Sequence, residues 1–176
     1  MANFQRVMQK YFVMLAFISV ISLFVYSLSF FTPLAPFQHI VDHVEGSDIL
    51  FDNKGVFQTF NRQILLLSII GFVIILFFFV FFMGKRKYYY FSNYFFSIIY
   101  FGYTIYSFYY LIDNLPSLRK IFAALPIEQC ESSESCLLKI EKIGISSSCF
   151  IFDLGIAIAA LLLASGGFII YNIIFK

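Results

Sequence analysis

The sequence predicts an all-α integral membrane protein, a bundle of four transmembrane helices with two outer segments. Three observations carry that reading: four apolar runs of spanning length, a composition unsuited to water, and basic residues gathered on one side of the runs. Hydrophobic residues make up 61% of the chain and charged ones 12%, whereas soluble domains average about 45–50% and about 25%. Mean hydropathy is +0.87. A soluble domain of this length needs polar groups over its surface that this chain lacks. The length of 176 residues suits a single domain.

The first helix is expected at about 11–31, after a short lead containing Arg6 and Lys10. That run exceeds the roughly 7–15 apolar residues of a secretory signal, and Ser27-Leu28-Ser29 is a poor cleavage site, so it reads as an uncleaved span. Pro33 and Pro36 stop it, because proline lacks a backbone donor and disfavours helix in the residue before it. The second and third helices, at about 64–83 and 88–112, fold about Gly84-Lys85-Arg86-Lys87. Each is long enough, since about 20 residues at 1.5 Å cover a hydrocarbon core of about 30 Å. Asn114-Leu115-Pro116 is read as the end of the third helix, and the fourth spans about 149–175.

The outer segments are 32–63 and 113–148. In the first, apolar residues from Ile40 to Phe60 are interleaved with acids and suit a short helix resting on headgroups. In the second, Pro116–Leu125 and Leu137–Ile145 read as further short interfacial helices, the former with Arg119 and Lys120 outward.

Charge gives the orientation. Arg6, Lys10, Lys85, Arg86, Lys87 and Lys176 flank the runs with no acid among them, while all ten acids fall in or at the edges of the outer segments. The positive-inside bias then places both termini in the cytoplasm, in a plasma or inner membrane. A net charge of +2 and no nucleic-acid signature give no nucleic-acid partner. With no Trp, the 12 Tyr supply the interfacial anchors.

His39, Asp42 and His43, spaced i, i+3, i+4, share one face of a helix and are a candidate zinc site or a general-base pair for an outer-leaflet enzyme. No nucleophile accompanies them. Cys130 and Cys136, in a segment expected outside, are a candidate disulfide. The chain is similar in size and helix count to four-helix thiol oxidoreductases of the disulfide-forming and vitamin K epoxide reductase classes. Those rely on Cys-x-x-Cys, and here five residues separate the two cysteines.

On the third helix Asn93, Ser97, Tyr100, Thr104 and Ser107 are spaced by four, three, four and three, one polar seam. Tyr103, Tyr106 and Tyr110 widen it. In hydrocarbon such groups must face protein or a wet cavity, so the seam is helix glue or the wall of a polar path. On the fourth helix Ala157, Ala160, Ala164 and Gly167 form one small-residue packing face and Gly155/Ala159 another, so one of them is available to an external partner. Asp153 is placed to cap that helix. The expected function is that of a non-catalytic subunit or interaction partner in a larger membrane assembly, contacting lipid and other membrane subunits or itself. The alternatives are an outer-leaflet enzyme using the His/Asp cluster or the thiols, and an oligomeric channel or carrier lined by the third helix.

Overall fold

The computed structural model describes residues 2–28, 54–82, 86–123 and 149–174. These hold four helices: α1 (Ala2–Ser27), α2 (Lys54–Phe82), α3 (Arg86–Ala123) and α4 (Cys149–Ile174). Each contains a stretch long and apolar enough to cross a membrane, over Val7–Ser27, Gly55–Val80, Asn93–Ile121 and Ile151–Ile174. The chain is therefore a membrane-embedded helical bundle. Consecutive helices pack side by side and α4 closes against α1, giving the cyclic order α1-α2-α3-α4. Gln9 of α1 meets Asn172 of α4 at one end, and Tyr26 meets Gly155 toward the other, so the two run antiparallel and the start of α1 lies beside the end of α4.

Two helices are longer than the apolar runs suggest. α2 begins at Lys54, ten residues before the expected Ile64, and so absorbs Val56, Phe57 and Phe60 from the anticipated headgroup helix. The reason is packing: Phe57, Phe60, Asn61 and Ile64 continue one buried stripe at helical spacing. α3 runs through Pro116 to Ala123, so Pro116–Leu125 does not begin a separate interfacial helix. Leu111, Leu115 and Leu118 are all buried and carry the stripe past the proline, whose own ring is exposed. That continued contact offsets a helix-interior proline's cost of about 3 kcal/mol. Arg119 and Lys120 do point outward, as expected. α1 starts at Ala2 and stops at Ser27 rather than 31, its last turn tightened by Leu28 N–H donating to Val25 O at 3.1 Å.

The helices join by two kinds of contact. Aromatic rings clasp α2: Phe17 and Phe24 of α1 meet Phe72 edge-on at 6.1 Å, and on the α3 side Phe77 stacks on Phe96 at 5.5 Å and Phe60 on Tyr110 at 5.9 Å. α4 instead brings small residues inward. Gly155, Ala159, Ser165 and Gly166 are buried, and a methyl group at Gly155 would lie 2.5 Å from Tyr26 Oη and 2.9 Å from Leu115 Cδ1. Such residues let helices approach closely where no hydrophobic effect drives them together.

Arg119 and Asp153 form an ion pair at 3.4 Å between α3 and α4, with side chains 46% and 58% exposed. Exposed pairs contribute little. Arg119→Gln is expected to change stability by less than about 0.5 kcal/mol, which thermal unfolding of the purified variant checks.

Candidate functional site: a polar seam through the bundle

The seam expected on α3 faces the bundle interior. Ser97, Tyr100, Thr104 and Ser107 are fully buried, and Asn93 is half-buried at the end of the bundle where α1 begins. Tyr103 joins them, Tyr110 is half-buried, and Tyr106 is turned outward with 58% of its surface exposed.

Other helices complete the seam in two layers. In the end layer, Gln9 Nε2 donates to Asn93 Oδ1 at 3.3 Å, and Asn172 Nδ2 donates to Gln9 Oε1 at 2.6 Å. One amide of α1 thus ties α3 to α4. Two helical turns deeper, about 10 Å along the axis, Tyr100 meets Ser19 and Ser165. Proton accounting orders this trio. Ser19 donates to Ala16 O at 2.8 Å and Ser165 to Leu162 O at 2.7 Å, so each serine has spent its one proton. Tyr100 is then the donor, to Ser165 Oγ at 2.9 Å, with Ser19 Oγ at 3.3 Å as a weaker second acceptor.

Gln9, Ser19, Ser165 and Asn172 do not stand out in the sequence, because each is an isolated polar residue rather than part of a spaced seam like that of α3. A signal existed for Gln9. It falls in phase with Val13, Ala16 and Val20, the buried stripe of α1, and a lone amide at that phase must find a partner in the bundle.

The two small faces of α4 part company. Gly155 and Ala159 are inside, whereas Ala157, Ala160 and Ala164 are exposed and Gly167 has open space where a Cβ would stand. Within the bundle the close packing belongs to the first pair. The second stripe is turned outward.

Buried polar side chains among the described residues are hydroxyls and amides, without an acid, a histidine or a base. No group of three His, Cys, Asp or Glu residues is assembled among the described residues. His39, Asp42, His43, Cys130 and Cys136 lie outside them. The chemistry the seam offers is hydrogen bonding between helices. Gln9→Leu, which leaves Asn93 and Asn172 to find new partners, is expected to destabilise the bundle by about 1–2 kcal/mol. Thermal unfolding in mild detergent, with Asn172→Leu as the second arm, should show losses that are far from additive.

Comparison with models of known families, with curated proteins and with solved structures finds no match to this chain.

Proposed function

We propose that the protein is a non-catalytic, multi-pass subunit of a larger membrane assembly, with its termini on the cytoplasmic side of a plasma or inner membrane. The observation that carries this reading is that the polar groups of two interior layers close on one another. Gln9, Asn93 and Asn172 form one tie and Ser19, Tyr100 and Ser165 another, each joining α1, α3 and α4. Polar residues spent in this way hold a shape rather than act on a substrate. The mechanism is positional: a rigid bundle fixes the depth and angle at which its outward faces and outer segments meet other subunits. The exposed stripe Ala157, Ala160 and Ala164 suits a closely approaching helix on that outer side.

A path through the bundle lined by α3 ranks below this, because direct bonds to Ser165 and Gln9 occupy the groups that a permeating polar solute would use. Replacing Asn93 and Thr104 by apolar residues would abolish flux under that alternative. Purification from native membranes in mild detergent, after brief crosslinking, tests the proposal. A stoichiometric membrane partner is the expected result, and a lone, uncrosslinked monomer contradicts it.

A further inference from the structure

At the end of the bundle away from Gln9, opposite charges stand on neighbouring helices without meeting. Arg62 of α2 and Asp113 of α3 both have exposed side chains, and so has Tyr106. None of these three side chains makes a hydrogen bond or ion pair among the described residues, whereas Arg119 and Asp153 are paired. Arg62 and Asp113 fall within the stretches able to cross a membrane, Gly55–Val80 and Asn93–Ile121, where an uncompensated charge is costly. The stack of Phe60 on Tyr110 relates their depths. Taking that stack as a common level, the Tyr106 backbone lies about 6 Å toward the hydrocarbon, that of Arg62 about 3 Å toward it and that of Asp113 about 4–5 Å away from it, at 1.5 Å per residue. Tyr106 and Asp113 lie on either side of Tyr110 along one stripe of α3, and Tyr110 faces α2, so the stripe borders the furrow between the two helices. Arg62 continues the exposed stripe of Leu65, Leu66 and Ile69 on α2.

We propose that this furrow binds one zwitterionic phospholipid, with Tyr106 at the level of its esters, Arg62 on its phosphate and Asp113 on its ammonium group. The order hydroxyl, cation, anion is complementary to the lipid read outward from its chains: ester, phosphate, ammonium. A planar guanidinium matches a phosphate bidentately, and its apolar stem lets it rise from hydrocarbon to headgroup depth. A phenol favours the boundary between the two. Neighbouring helix axes lie about 8–10 Å apart, so a lipid lying along the furrow touches both. A second copy of the chain matches less well. A twofold axis along the membrane normal keeps every residue at its own depth, which leaves the cation of one copy about 7–8 Å deeper than the anion of the other. The lipid site stands whether or not the bundle serves an assembly.

The test is native mass spectrometry of the full chain released from nanodiscs of equal phosphatidylethanolamine and phosphatidylglycerol, matched in their acyl chains. Both headgroups carry the phosphate, and only the first carries an ammonium. The unmodified protein should retain one phosphatidylethanolamine, favoured about fivefold over phosphatidylglycerol. Arg62→Gln should lose both lipids. Asp113→Asn should keep a lipid and bring the ratio near one, and Asp113→Lys should reverse it, a gain that misfolding cannot mimic. Bare protein, a ratio near one in the unmodified chain, or a ratio that Asp113→Lys leaves unmoved overturns the proposal. So does a lipid-free dimer that Arg62→Gln dissolves, because the furrow then belongs to a second copy.

Discussion

Replacing Gly166 by valine is expected to destabilise the bundle by about 3 kcal/mol, the upper part of the usual range for overpacking. A Cβ at Gly166 would overlap Thr104 Oγ1 and lie 3.1 Å from its Cγ2 and 3.2 Å from its Cβ. Threonine is short and stiff at χ1, so it has no flexible end to swing aside. α3 and α4 must therefore separate. Gly166→Ala meets the same clash with less bulk and regains about 1 kcal/mol of helix propensity, leaving a net loss of about 1–2 kcal/mol. Thr104→Ala in that background should restore most of it, since only the 3.2 Å approach of Thr104 Cβ is left. The neighbouring Gly167 supplies the control: nothing lies within 4 Å of its Cβ position, so Gly167→Ala should be neutral or slightly stabilising. Thermal unfolding of the four variants at one scan rate reads this contrast, which depends on the rotation of α4 about its own axis.

Tyr100→Ala should cost about 3–5 kcal/mol, as for other large buried aromatics. The ring is fully buried, sits edge-on to Phe78 at 6.3 Å and 5.7 Å from Tyr103, and its hydroxyl is the donor of the central tie. Tyr100→Phe separates the two contributions. It keeps the ring and deletes the one proton the trio can share, while Ser19 and Ser165 retain their bonds to Ala16 O and Leu162 O. Its expected cost is therefore about 0.6 kcal/mol and at most about 1.7 kcal/mol. Equal losses in the two variants would mean that the hydroxyl, not the packing, holds α3 in place.

The membrane class and the inward face of α3 were legible in the sequence because each depends on local pattern. Span length and apolarity mark the four runs, and the spacing of Asn93, Ser97, Tyr100, Thr104 and Ser107 repeats with the helix. Helix ends were less legible. The start of the apolar run at Ile64 and proline at 116 suggested boundaries that tertiary contact overrode, through Phe57 and Phe60 in α2 and Leu115 and Leu118 in α3. Which small face of α4 turns inward depends on neighbours that no single helix encodes, here Tyr26, Leu115 and Thr104. Ser19 and Ser165 were invisible for the same reason: a lone serine in an apolar run acquires meaning only when Tyr100 is brought beside it.

Carbene labelling from the lipid phase, on the purified protein in nanodiscs, tests most directly that a lipid-embedded bundle encloses an inward polar seam. Label should enter Ile98, Ile105 and Tyr109 of α3 and Ala157, Ala160 and Ala164 of α4, and should spare Tyr100, Thr104, Gly155, Ala159 and Leu162. Label on Tyr100 and Thr104 with Ile98 and Ile105 protected, or no label in either helix, would contradict it.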